Sequence, residues 1–163
     1  VNINIKNDEG FFPLLLAIRN DNIEITKLLI EYANNNHIKL AINDKNNDGN
    51  LPLLLTSEKN NYKIIELLIT YADKELLEIN SKNKDGWYPL LLAVRNSNIE
   101  IINLLIDYSK QIKISLDKDE SNNYKQYPLL LAIVKDNAEV IKILIDCAEE
   151  KGNPLNINEK DMS

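Results

Sequence analysis

One histidine, His37, and one cysteine, Cys147, are the only strongly nucleophilic or metal-seeking side chains in the sequence. A lone imidazole can move a proton near neutral pH. It cannot complete a histidine-based triad or a multi-histidine zinc site. His37 reads as a solvated loop residue. Cys147 sits in the apolar run KILIDCA, where a thiol serves as packing material. Asp117, Asp119 and Glu120 carry enough charge for a cation, but their spacing is not that of an EF-hand loop, and the reading is a charged loop. Neither a phosphate-binding Gly-x-x-x-x-Gly-Lys-Ser/Thr loop nor a dinucleotide Gly-x-Gly-x-x-Gly motif occurs. These residues predict a chain that is not an enzyme and takes no metal or cofactor.

The elements that would position any site repeat along the chain. Pro13, Pro52, Pro89 and Pro128 open closely related blocks and lie 39, 37 and 39 residues apart. A fixed period of this size marks stacked helical repeats, in which each unit buries its apolar face against its neighbours. Within a block, proline suits the first turn of a short helix carrying Leu14, Leu15, Ala17 and Ile18. Asn20-Asp21-Asn22 breaks that helix, because Asp and Asn tolerate a left-handed backbone, and Asn22 can cap the next one. Ile25, Leu28, Leu29, Tyr32 and Ala33 then follow the spacing of an amphipathic helix. The stripe recurs at Ile64–Ala72, Ile101–Ser109 and Val140–Ala148, where Cys147 takes the tyrosine slot. Polar stretches ending at Gly10, Gly49 and Gly86 join the units as hairpin-like fingers.

A Gly-x-x-Pro-Leu turn, two antiparallel helices and a finger together resemble the ankyrin repeat, whose unit of about 33 residues reads Asp-x-x-Gly-x-Thr-Pro-Leu-His-x-Ala before a Leu-rich second helix. Pro13-Leu14, Pro52-Leu53, Pro89-Leu90 and Pro128-Leu129 hold the Pro-Leu slots, and Ala17, Ala93 and Ala132 the alanine slot, with Thr56 the exception. The resemblance implies an all-α, right-handed solenoid of helix–turn–helix repeats with finger loops. The expected organisation is one array over 1–163, with repeats near 7–45, 46–82, 83–121 and 122–158.

Three departures from the family pattern shape the expectations. Phe12, Leu51, Tyr88 and Tyr127 replace the threonine, and Leu15, Leu54, Leu91 and Leu130 the histidine, so first helices lack a side-chain cap and repeats join through apolar contacts. The glycine that ends the family's second helix is missing, which predicts second helices running about one turn past Ala33 and Ala72. The loop DKDESNNYKQ before the last repeat reads as two residues longer and carries Lys125 in the glycine slot, so that finger is expected to deviate.

The resemblance implies binding through fingertips and the ends of first helices. At the position two before proline stand Phe11, Asn50, Trp87 and Gln126, and at the helix ends Arg19, Glu58, Lys59, Arg95 and Lys135. Phe11 and Trp87 are large aromatics at positions expected to be wet, where interface anchors occur; the alternative is that each ring folds onto its finger. Repeats 1 and 3 share both the aromatic and the arginine.

A net charge of −6 and a pI near 4.9 argue against a nucleic-acid partner. No apolar run is long enough to span a membrane, and a single cysteine suits a reducing, cytoplasmic setting. Val1-Asn2-Ile3-Asn4 and Leu155-Asn156-Ile157-Asn158 each match the finger at Leu40, so both ends are read as cut within a longer array. The expected function is a protein-binding scaffold. The alternative is a structural protein stacking head to tail into a fibre, because an open heterologous interface does not close.

Overall fold

The computed structural model describes residues 1–72 and 75–149. Each unit begins where proline fixes φ: Pro13, Pro52, Pro89 and Pro128 open α1 (Pro13–Arg19), α3 (Pro52–Lys59), α5 (Pro89–Arg95) and α7 (Pro128–Val134). As the lost threonines require, Phe12, Leu51, Tyr88 and Tyr127 make no side-chain cap. The backbone then turns through left-handed Asp21, Asn60, Ser97 and Asp136, with φ of 54°, 62°, 55° and 50°. The next asparagine's N–H returns to the carbonyl of Ala17, Thr56, Ala93 or Ala132, closing the helix end. Those same asparagines cap the second helices α2 (Ile23–Asn35), α4 (Tyr62–Tyr71), α6 (Ile99–Ile112) and α8 (Ala138–Glu149). Asn22, Asn61, Asn98 and Asn137 accept from the N–H of Ile25, Ile64, Ile101 and Val140 at 2.9, 3.2, 2.9 and 3.1 Å.

First helices pack in the order α1, α3, α5, α7, and α2, α4 and α6 form a second layer. The core between them is a line rather than a ball. Leu14, Leu15, Leu53, Leu54 and Leu91 are fully buried along it. Cys147 is buried in the tyrosine slot of α8, and His37 is exposed in a loop. Among the described residues there are eight helices and no strand, and no helix is long and apolar enough to cross a membrane. The expected end of the last repeat, at Leu155–Asn158, lies outside the described residues.

The second helices follow the expected extension in two repeats and correct it in a third. α2 continues to Asn35 and α6 to Ile112. They stop at left-handed His37 and Lys113, where Ile38 N–H and Ile114 N–H bond back to Ala33 and Ser109. α4 does not extend: it stops at Tyr71 with Ala72 as its C-cap. The reason is chain length. The capping asparagine and the buried leucine that starts each finger are 18 positions apart at Asn22–Leu40 and Asn98–Leu116, but 16 at Asn61–Leu77. The short period is therefore a short second helix. The last finger is not longer than the others, a second correction: Leu40 and Pro52, Leu77 and Pro89, and Leu116 and Pro128 are all 12 positions apart.

Nor does the last finger deviate at its tip. Lys125 adopts φ 58° where Gly10, Gly49 and Gly86 have 78°, 82° and 81°, and the bonds Lys125 N–H to Asn122 O and Asn122 N–H to Gln126 O repeat those of the other fingers. The glycines answer to a further constraint, the approach of the next finger. A Cβ on Gly86 would lie 2.9 Å from Asn122 Cα and from Asn123 N. Lys125 belongs to the last described finger of the array.

The fingers are tied by polar ladders that the asparagine-rich loops do not announce. Asn4, Asn43 and Asn80 each reach the next repeat twice. Their Nδ2 donates to Lys39, Leu76 and Ser115 carbonyls, and their Oδ1 accepts from Ala41, Glu78 and Asp117 N–H. Lys6, Lys45 and Lys82 donate to the carbonyls of Lys45, Lys82 and Ser121. Tyr71 and Tyr108 hydroxyls accept from Leu40 and Leu77 N–H at 2.9 and 3.0 Å. Gly86→Ala should destabilise the fold by at least about 2 kcal/mol, from a left-handed Cβ pressed on backbone. Lys125→Gly should instead stabilise it by up to about 1 kcal/mol. Urea denaturation of both variants checks the contrast.

Candidate protein-binding groove

Fingers and first-helix ends border two adjacent depressions: of the sequence-predicted residues, Asn50, Glu58, Trp87 and Arg95 line one and Arg95, Gln126 and Lys135 the other, while Phe11, Arg19 and Lys59 line neither. The position two before proline alternates between an aromatic in repeats 1 and 3 and an amide in repeats 2 and 4. In repeats 1 and 3 an arginine lies over the aromatic ring. Arg19 is 4.5 Å from the Phe11 centroid, and Arg95 is 4.6 Å from that of Trp87. Such stacking is worth about 0.5–1 kcal/mol near the surface. Phe11 is only 9% exposed, so the expectation of a wet ring is corrected: the ring packs under Arg19, which also pairs with Glu9 at 3.8 Å. Trp87 is half-buried and keeps part of its surface in the groove. Glu58, Lys59 and Lys135 are exposed; Asn50, Gln126 and Arg95 are half-buried.

The alternation follows from amide bookkeeping at the finger. Asn7, Asn46, Asn83 and Asn122 each accept, through Oδ1, the N–H groups two and four residues on. That leaves each Nδ2 needing an acceptor. Asn83 finds Asn50 Oδ1 of the preceding repeat at 3.0 Å. Asn46 faces the equivalent slot in repeat 1, which is Phe11, and its buried Nδ2 has no partner. Asn122 meets Trp87 in that slot and turns to its own Gln126 Oε1 at 2.8 Å. Asn50 and Gln126 therefore serve the fingers as much as the groove.

Two pairs of groove residues escape a reading that looks only beside the prolines. Asp48 and Asp85 stand on the fingertips with Glu9, and Tyr124 replaces the acid in repeat 4, where it is 61% exposed. Val134 takes the slot of Arg19, Glu58 and Arg95, and is 78% exposed. Aligning the repeats residue by residue was the signal that would have found them.

The acidic loop Asp117–Glu120 is structural in its contacts. Glu120 pairs with Lys82 at 3.0 Å, and its carbonyl accepts the Tyr88 hydroxyl at 2.7 Å. Burial, then the carboxylates of Asp117, Glu120 and Asp119, push the Tyr88 hydroxyl far above the ordinary phenol range, so it remains a donor. Burial, then Glu120, also raises Asp117, against the opposing pull of Lys82. Among the described residues no three His, Cys, Asp or Glu side chains gather as metal ligands.

Asn46→Asp should destabilise the fold by at least about 1 kcal/mol at neutral pH, because it replaces the orphaned donor by a buried carboxylate oxygen with no donor to meet it. Asn83→Asp, whose new oxygen can accept from the Asn50 amide once that amide turns over, should lose less. Thermal melts of the two variants side by side decide this.

A family model described as ankyrin repeats (3 copies) matches residues 1–78 and again residues 74–161. Comparison with curated proteins finds no match. Ankyrin repeats are in general protein–protein interaction modules that carry no catalytic machinery of their own. With paired helices, Pro-Leu turns and stacked fingers now in view, the match across nearly the whole length means that the chain belongs to the ankyrin repeat family.

Proposed function

We propose that the chain is a non-enzymatic scaffold that binds a protein partner through the groove between fingers and first helices. One observation carries this reading: charged and aromatic side chains converge there with few intramolecular partners. Trp87, Arg95, Glu58 and Asp85 line a cavity of about 200 Å³. An amphipathic aromatic beside a planar guanidinium is the composition of interface anchors. The acidic net charge argues for protein over nucleic acid. The lone buried thiol accords with a reducing, intracellular compartment.

Binders selected against the purified chain should lose at least about 1.4 kcal/mol, or tenfold in Kd, on Trp87→Ala or Arg95→Ala. They should be indifferent to Glu66→Ala on the opposite helix layer. Calorimetry measures the affinities. A Trp87→Ala variant that binds normally but melts earlier would assign the ring to packing and remove it from the site.

Self-stacking is the second reading, favoured by the outer faces of the first and last described repeats. Tyr71 and Tyr108 are buried against the preceding repeat, whereas the equivalent Tyr32 is 37% exposed beside Ile25 and Leu28, at 46% and 62%. At the other end Ile133 and Ile145 are 53% and 40% exposed, while Ile18 and Val94 in the slot of Ile133 are at most 1%. Each end thus carries one half of the contact that joins internal repeats. Light scattering of the chain should show size growing with concentration, and Leu28→Glu should abolish that growth. A monodisperse monomer at millimolar concentration sinks this reading.

A further inference from the structure

The groove is divided electrically, and the division specifies a partner. Its cavity between repeats 2 and 3 sets three carboxylates, Asp48, Glu58 and Asp85, against one guanidinium, Arg95. Among the described residues, none of those carboxylates lies within ion-pairing distance of a lysine or arginine. One repeat further along, a groove of about 600 Å³ has Arg95 and Lys135 on its walls with Gln126, Leu131 and Val134, and among the described residues no carboxylate lines it. The change of sign arises in the sequence of repeat 4. Tyr124 replaces the fingertip acid, and Val134 replaces the charged residue at the helix end. Arg95 borders both subsites and is held in place by the Trp87 ring.

We propose that the groove takes an extended segment of a protein partner that carries a basic side chain and, about three residues along, an acidic residue next to an aliphatic one. The basic group enters the cavity of repeats 2 and 3, where uncompensated carboxylates attract it and Trp87 packs its aliphatic stem. The acidic group meets Arg95 and Lys135, and the aliphatic side chain covers Val134 and Leu131. The spacing follows from geometry. Packed helices lie about 8–10 Å apart, and an extended chain advances about 3.3 Å per residue, so neighbouring subsites are served by residues about three apart. This inference rests on the reading of the groove as a protein-binding face.

Panning a phage-displayed library of random nonapeptides against the purified chain tests it. Enriched sequences should place Lys or Arg about three residues from an Asp or Glu adjacent to Leu, Ile or Val. The best synthetic peptide should lose at least tenfold in affinity on Glu58→Lys and on Lys135→Glu, each verified as folded by circular dichroism. Replacing the peptide's basic residue by Glu should restore binding to Glu58→Lys. Asp85→Asn and Val134→Thr probe the same two subsites without reversing a charge on a helix. Peptides that need Trp87 but show no charge preference overturn the polarity and leave the protein-binding reading intact. Peptides indifferent to Trp87→Ala, Glu58→Lys and Lys135→Glu alike overturn both, and a library that yields no binder overturns the inference.

Discussion

A finger that lies against its neighbour without forming a sheet must still satisfy its backbone. Buried N–H and C=O groups left without partners each cost about 1–3 kcal/mol, and the fingers have no strand ladder to supply them. One backbone bond joins each pair of neighbouring fingertips, from the N–H of Asn47, Lys84 and Asn123 to the carbonyls of Glu9, Asp48 and Asp85, and side chains supply most of the other ties. Asn4, Asn43 and Asn80 bridge one finger to the next by donating and accepting at once. Tyr71 and Tyr108 cap the amides at which the preceding fingers begin. An amide side chain carries its donor and its acceptor on separate atoms of one short stem, so it can bridge two backbone groups at once. The high asparagine content of the loops is therefore a condition for stacking.

This arrangement stands where the family places a threonine and a histidine. Loss of that pair removes a cap and a tie at the top of each first helix. In repeats 1 to 3 the replacing residues are buried instead: Phe12, Leu51 and Tyr88 are fully inaccessible, as are Leu15, Leu54 and Leu91, while Tyr127 and Leu130 of repeat 4 are half-buried. Cohesion between first helices is thus apolar, while directional bonds move to the fingers. Apolar contact is indifferent to small sliding motions, whereas a two-point amide bridge is not. Repeat register is set by the asparagine and tyrosine rungs, and the leucines supply the bulk of the burial.

Period, proline positions and capping asparagines were legible in the sequence because each depends on local backbone rules. Left-handed turns at Asp21 and Asn60 and the caps at Asn22 and Asn61 follow from residue type alone. Second-helix length was legible only in part. A missing glycine permits extension but does not compel it, and the two-residue deficit between Asn61 and Leu77 decides the matter for α4. Lys125 reads as a disruption when φ is the glycine slot's only requirement; the close approach of the next finger is a tertiary fact. Exposure of the groove aromatics was likewise tertiary, since it turns on where the arginine six residues after each proline lays its side chain.

That stacking changes what the aromatic residues contribute to the groove. A guanidinium resting on an indole face loses little rotational freedom on meeting a ligand, because the ring already restricts it. Arg95 can present its edge to an anion while its face stays on Trp87, and the exposed part of the indole remains for apolar contact. Repeat 1 keeps the same pair with a smaller ring that is more deeply buried, and there Arg19 is partly neutralised by Glu9. The two copies are therefore unequal in spite of their matching sequence. The repeat 3 pair lies between a cavity rich in carboxylates and a groove lined by Arg95 and Lys135, while the repeat 1 pair mainly holds its own finger against its own helix. On the proposed reading of the groove, recognition centres on repeats 2 to 4, with repeat 1 extending the stack that keeps their fingers in register.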